Sequence, residues 1–185
     1  MAWDDVLGNE ILFPASWNGM VTDQKARVGP VFTGDTYNVV GDGVTDDYAA
    51  ILAAHAAATV SGGDIVLAAG TYLIGTSITF NADTRLVLLG GAELKPDSGV
   101  AITINGGLKA DLYQIFDLTL GGTIAFGVGR IKEVYPQWWG AVADNSTECT
   151  AAFNLALTAA NTVGRMYIPS GIYKISTPII NFTSQ

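Results

Sequence analysis

An internal repeat constrains this chain more than any other feature. GDGVTDDYAAILAAHAAATVSGGDIVLAAGTYLI, from Gly41 to Ile74, returns as ADNSTECTAAFNLALTAANTVGRMYIPSGIYKI, from Ala143 to Ile175. Asp42 aligns with Asp144 at a spacing of 102 residues, and Tyr72 with Tyr173 at 101, so one residue is lost between helix and strand. Ala49-Ala50 matches Ala151-Ala152, Gly63 matches Gly164, and Gly70-Thr71-Tyr72 matches Gly171-Ile172-Tyr173. A segment that recurs with its order of elements kept is one supersecondary unit used twice.

Each copy reads as turn, helix, turn, strand. Asp42 and Asp144 stand in the first turn and are read as turn and cap residues. Thr45 is the expected N-cap of the first helix, with Asp46 and Asp47 in its first turn, where the macrodipole favours negative charge. Thr147 and Glu148 take the same roles in the second copy. The Ala-rich runs 46–59 and 148–160 follow as helices that can approach a sheet closely. Tyr48, Ile51, Leu52 and His55 form the apolar stripe of one, and Phe153, Leu157 and Ala160 that of the other. Gly62-Gly63 and Val163-Gly164 stop them.

Short strands are expected at 65–68, 72–74, 78–80, 86–89, 92–94, 101–104, 115–120 and 123–126, punctuated by Gly, Asn, Asp and Ser. Such strands, without intervening helices, fit a sandwich, a barrel or a β-solenoid. Hairpin signals are weak, Asn105-Gly106 being the main exception, so grouped strands favour solenoid coils. With 49% hydrophobic and 14% charged residues, the chain can bury a sizeable core. No run approaches the ~18 uninterrupted apolar residues of a membrane span, and Ala49–Val60 is broken by His55. Nine Lys and Arg against seventeen Asp and Glu, a net charge of -8, argue against a nucleic-acid surface. One cysteine, Cys149, excludes an intrachain disulfide framework and a cysteine-rich zinc site.

Residues 1–37 mix Pro, Gly and isolated aromatics without periodicity and read as an extended arm. Trp3, Leu12, Phe13 and Trp17 are too apolar for a free linker and are its expected partner-binding anchors. The opening MAWDDVLG carries acidic residues where a secretory leader carries basic ones. The second copy has only begun its strands at Gln185, so the expectation is a truncated solenoid. The expected division is an anchoring arm at 1–37, a first helix-plus-strand unit with its coils at 38–130, and a second, truncated unit at 131–185.

GDGVTDDYAAI followed by GGDIVLAAGTYLI resembles the opening motif of the pectate-lyase-like right-handed parallel β-helix superfamily, in which phage tailspikes are prominent. EVYPQWWGAVADNSTECTAAF with IPSGIYKI resembles a second form of that motif. The resemblance covers roughly 38–80 and 131–178. It departs from the pattern in the second copy, where Ala143 replaces Gly41, Asn145 replaces Gly43 and Cys149 replaces Asp47. Asn tolerates the left-handed backbone, so the turn is expected to survive. The resemblance implies an all-β solenoid, the N-terminal part of a right-handed parallel β-helix with two short capping α-helices.

The candidate chemistry is thin. Asp42, Asp46 and Asp47 are close enough in sequence to suggest glycoside cleavage or cation binding, but each has a local structural role, so they are read as turn and cap residues. Gly41-x-Gly43 lacks the third glycine of a dinucleotide loop, and its carboxylates repel a pyrophosphate. His55, the only histidine, lies on the helix stripe and is read as packed; with one histidine, no metal or other cofactor is expected. Trp138-Trp139 is read as a plug at the junction rather than a sugar platform, its rings turned opposite ways by an extended backbone. No catalytic residue is assigned.

The expected function is therefore the virion-proximal part of a phage tailspike or tail fibre. It would anchor and assemble a homotrimer, with a tail or baseplate protein as partner and no nucleic acid or membrane. The alternative is a polysaccharide depolymerase, a lyase or glycoside hydrolase acting on bacterial surface polysaccharide through regions mostly outside this segment. A third reading is a secreted or cell-surface carbohydrate-binding β-helix.

Overall fold

Strict alternation along short segments builds the sheets. In 92–96, Ala92, Leu94 and Pro96 point inward while Glu93 and Lys95 point out. In 101–104, Ile102 and Ile104 are buried between half-exposed Ala101 and Thr103. This period of two is the strand signature, and here it leaves one apolar face per sheet. The computed structural model describes residues 6–7, 10–11 and 31–179. Trp3, Leu12, Phe13 and Trp17 lie outside the described residues.

The strands are β1 (Val6–Leu7), β2 (Glu10–Ile11), β3 (Val31–Thr33), β4 (Asp42–Asp46), β5 (Asp64–Leu67), β6 (Gly70–Ile74), β7 (Ile78–Phe80), β8 (Arg85–Leu88), β9 (Ala92–Pro96), β10 (Ala101–Ile104), β11 (Gly107–Lys109), β12 (Thr123–Phe126), β13 (Asp144–Glu148) and β14 (Ile172–Lys174). Helices α1 (Tyr48–Ser61) and α2 (Thr150–Val163) follow β4 and β13. The architecture is mostly β with two helices. Apart from the antiparallel β1–β2 pair, every described pairing is parallel. The larger sheets run β11-β8-β5-β3, β4-β6-β9 and β12-β10-β7, and β13-β14 is a separate pair.

The register explains how parallel pairs form without a helix between each strand and the next. From β5 to β11 the chain visits the three larger sheets in rotation, so each strand meets its partner 21 to 24 residues on: Asp64 with Arg85, Gly70 with Ala92, Ile78 with Ile102. Like residues then stack on like. Ile65 lies on Leu86, Leu67 on Leu88, Tyr72 on Leu94, and Ile78 on Ile102 on Ile124. Ile65, Leu67, Leu94 and Ile102 are fully buried, each such side chain stabilising the fold by roughly 1.5–3 kcal/mol.

The observed elements differ from the expected ones in several places. The helices begin at Tyr48 and Thr150, two residues later than expected, because Asp46 and Glu148 are still paired with Leu73 and Lys174. Residues 115–120 form no strand, only a bridge from Phe116 to Leu94, while the strand at 107–109 was missed. Asn105-Gly106 is a corner, not a hairpin: the Asn105 and Gly107 amides donate to Phe80 O and Thr84 O of the preceding turn at 2.9 and 3.0 Å. Residues 31–37, expected in the arm, are built into the fold, with β3 pairing in parallel with β5.

That last difference enlarges the repeat. Gly34–Tyr37 and Pro136–Trp139 are both 3-10 turns, each closed by a left-handed residue, Asn38 at φ 57° and Gly140 at φ 89°. Val134 bridges Met166 as Phe32 pairs with Ile65. α1 packs on its 3-10 turn and β3, and α2 on the second turn. α1 buries Ile51, Ala54, His55 and Ala58, and α2 buries Ala152, Phe153, Ala156 and Ala160. Leu52, expected in the stripe, is exposed, and Leu157 is half-buried.

Candidate functional site

The acidic turns come first, because the sequence places its carboxylates there. Asp42 Oδ1 accepts from the Val44 and Thr45 amides at 2.9 and 2.7 Å, and Oδ2 accepts from the Thr45 hydroxyl at 2.8 Å. Asp144 repeats the pattern with Ser146 and Thr147 at 2.8, 2.7 and 2.7 Å. The turns demand a left-handed backbone, supplied by Gly43 at φ 76° and by Asn145 at φ 56°. Donation from Thr45 and Val44 lowers the Asp42 pKa, and the Thr147 amide and hydroxyl hold Asp144 at about 2.

Thr45 and Thr147 are therefore not helix caps; their hydroxyls donate to Asp42 and Asp144, and they lie inside β4 and β13. The N-cap positions are Asp47 and Cys149, and neither side chain caps its helix. Asp47 reaches backward instead, accepting from the Val40 and Gly41 amides at 2.6 and 3.0 Å. Cys149 occupies the same place and points its Sγ at Val142 O, 3.4 Å away. Asp46 accepts from the Tyr48 amide at 3.0 Å and the Gly75 amide at 2.9 Å, joining the helix start to the end of β6. Glu148 does the same with Thr150 and Ser176, whose hydroxyls hold it at about 2. Its longer side chain goes with a serine at 176, whereas a Cβ on Gly75 would sit 2.5 Å from Asp46 Oδ2.

His55 is packed. Its Nε2 accepts from the Asn81 amide at 3.0 Å, its ring meets Phe80 edge-on, and burial lowers its pKa against the pull of Asp83. Trp138 and Trp139 are buried, but in a 3-10 turn rather than the expected extended strand. Both rings therefore meet Phe116, and Trp139 also meets Phe126. Trp138 Nε1 donates to Asp111 O at 3.2 Å. Neither ring is a free sugar platform.

Sequence reasoning missed the outward row of the β4-β6-β9 sheet. Glu93 and Lys95 project from β9, and Lys95 Nζ lies 3.6 Å from Asp117 Oδ2. Burial and the negative charge of Asp117 raise the Glu93 pKa, opposed by Lys95 and the Thr71 hydroxyl. Burial alone would raise Asp117 too, but the Thr119 hydroxyl and amide, at 2.6 and 2.9 Å, and Lys95 override it and leave its pKa lowered. The two carboxylates are thus displaced in opposite directions, Glu93 by burial and Asp117 by the hydrogen bonds and ion pair it accepts. The alternation in AELKP was the available signal; Asp117, more than twenty residues on, carried none.

Among the described residues, no three His, Cys, Asp or Glu side chains are grouped to hold a metal ion, and no helix is long and apolar enough to cross a membrane.

Residues 33–121 match the family model described as rhamnogalacturonase A/epimerase, pectate lyase-like. This supports a pectate-lyase-like assignment for the first unit. No curated protein matches the chain. Among solved structures, the ORF18 protein of Geobacillus virus E2 is 21% identical over 66% of this chain and 30% of its own, with a TM-score of 0.35. The chain thus spans about 30% of that protein's length, and similarity at this level does not extend to function.

Proposed function

We propose that this chain is the N-terminal, virion-proximal part of a trimeric phage tail appendage, a tailspike or tail fibre, and that its three rotating sheets are the first coils of a right-handed parallel β-helix. The observation that carries this reading is the wiring of the carboxylates. Asp42, Asp46 and Asp47, and their counterparts Asp144 and Glu148, all accept hydrogen bonds that close turns or join adjacent strands. A segment whose acidic motif is used this way in both copies behaves as scaffold. The pectate-lyase-like match over 33–121 agrees with it.

The anchoring arm is tested by deleting residues 1–30. The cut must stop there, because removing 31–37 takes away β3 and the turn on which α1 packs. The shortened chain should fold, by circular dichroism, and fail to enter particles; assembly at normal levels would sink the anchoring role. Light scattering should find a trimer for the longest natural form, and a stable monomer would remove that part of the proposal.

The second reading is a polysaccharide depolymerase, favoured by the Glu93–Asp117 pair. Glu93 would serve as acid and Asp117 as base or nucleophile on a surface glycan. Glu93→Gln should then abolish oligosaccharide release from capsular polysaccharide without lowering the unfolding temperature, and Asp117→Asn should abolish it in the fraction that remains folded. Unchanged release in both variants excludes this pair.

A further inference from the structure

Three sets of turns carry the chain between the three larger sheets, and one set differs from the other two. After β6 and β9, polar side chains close the turns: Ser77 Oγ accepts from the Ala101 amide at 3.0 Å, and Asp97 Oδ1 from the Ser98 amide at 2.7 Å. After β7, the Thr84 hydroxyl donates to Asn81 O at 2.9 Å. Among the described residues, each of these two sets exposes a single large aliphatic, Leu120 in one and Val128 in the other.

The third set joins the β11-β8-β5-β3 sheet to the β4-β6-β9 sheet. At 89–92 its closure needs no side chain. The Leu89 amide donates to Leu67 O at 2.9 Å, the Ala92 amide to Leu89 O at 2.8 Å, and the Gly70 amide to Gly91 O at 3.0 Å. Side chains in such turns are free to be polar, and outer turns usually are. Here they are aliphatic. Val40, Leu89, Leu112, Val142 and Ile168 are each between 46 and 56% exposed, and Ala69 is exposed beside them.

These positions form one file. Gly41 O accepts from the Thr71 amide at 2.9 Å, the Tyr113 hydroxyl donates to Leu89 O at 2.6 Å, and Leu112, Val142 and Pro169 line one cavity. Val40 and Val142 hold the same place in the two copies of the repeat, so the second unit extends the file that the first begins. At ~4.8 Å from one strand to the next, the file is roughly 24 Å long. Scattered exposed aliphatics need no explanation, but a continuous file of them is a contact surface.

Charge and spacing select what covers it. Across 38–41, 68–70, 89–91, 110–114, 140–143 and 168–170, Asp111 is the one charged residue, in a chain of net charge -8. Two copies repel wherever their acidic surfaces approach, and least along this file. The aliphatic side chains recur at the spacing of the strands, and a surface with that spacing and that character is the same file on a second copy. Rotation about an axis parallel to the file brings each residue against its own counterpart, so aliphatic meets aliphatic along the whole length.

We propose that copies of this chain associate through this file, three files converging on a common axis, so that Leu89 and Leu112 of each copy bury against the same residues of its neighbours. The threefold count rests on the trimer proposed above; the choice of face does not.

The test is the mass of the full chain by light scattering. The wild type should be a trimer. Leu89→Lys combined with Leu112→Lys puts like charges on the axis and should lower the mass to that of one chain, with an unchanged circular dichroism spectrum. Leu120→Lys combined with Val128→Lys, on the other two sets of turns, should leave the trimer intact. Independently, a short bis-maleimide should join Leu112→Cys to a second copy and should not join Ser98→Cys; the native Cys149 is buried. If the double lysine variant at 89 and 112 fails to fold, this crosslinking decides. A trimer untouched by that variant, or equal crosslinking from Ser98→Cys, overturns the choice of face and leaves the trimer standing. A monomeric wild type without crosslinking at Leu112→Cys removes the association itself. Faster labelling of Leu112→Cys after deletion of residues 1–30 would show the file covered by the chain's own N-terminal segment, which also overturns the proposal.

Discussion

Asp47→Ala separates two accounts of the acidic turn: a helix cap and a backward tether. Asp47 is 1% exposed and accepts from Val40 and Gly41, seven and six residues upstream. Hydrogen bonds to a charged group contribute roughly 1.5–3 kcal/mol each, and the two amides are partly open to water, which restores some of the loss. The expected destabilisation is about 2–4 kcal/mol, or roughly 5–15 °C in Tm for a chain of this size. Asp47→Asn retains one acceptor oxygen and should lose about half as much. Asp47→Ser discriminates: serine is a good N-cap, so a capping role predicts near-normal stability, whereas a serine is too short to reach both upstream amides and should behave like alanine. Urea unfolding followed by circular dichroism, with calorimetry alongside, measures all three. A loss under ~0.5 kcal/mol for alanine, or full rescue by serine, would refute the tether.

Ile102→Ala removes three carbons from a fully buried side chain between Ile78 and Ile124 and should cost about 3–4 kcal/mol, against ~1 for Ile102→Val, by urea titration. Burial keeps His55 neutral, its folded pKa lying below 6.5, so stability should be full above pH 6.5 and decline as the unfolded state takes up the proton below it. An unchanged urea midpoint between pH 7.5 and 5.5 would contradict that sign. Asp144 and Glu148, both held at about 2, contribute stability above their unfolded values of 3.8 and 4.5 that disappears as pH falls towards 2. Glu148→Gln should flatten that acid limb, and an identical limb in the variant would exclude the assignment.

The local chemistry was legible because it is written in adjacent residues. The turn after Asp42 and Asp144 needs one left-handed position, which is why Asn145 was correctly expected to stand in for Gly43, whereas Thr45 and Thr147, expected as helix caps, donate back to those carboxylates instead. The Ala-rich helices and their Gly stops are local for the same reason. The stretch 42–46, by contrast, is poor in strand formers and reads as turn; it pairs because Thr71 and Leu73 of β6 lie beside it.

Tertiary structure decided everything that depends on what a strand meets in the next strand of its parallel sheet. Val31–Thr33 looked like arm because its partner, Asp64–Val66, lies beyond an entire helix. Asp47 looked like a cap because its true acceptor role points to a loop behind it. Asp117 and Glu93, like Gln137 and Tyr173, are separated by more than twenty residues, and no short-range pattern links them. Sequence by itself determined the repeat, the turns and the helices, whose hydrogen bonds close within a few residues. Which carboxylates come near each other depended on strands stacking 21 to 24 residues apart, where contact is set by packing rather than by neighbours in the chain.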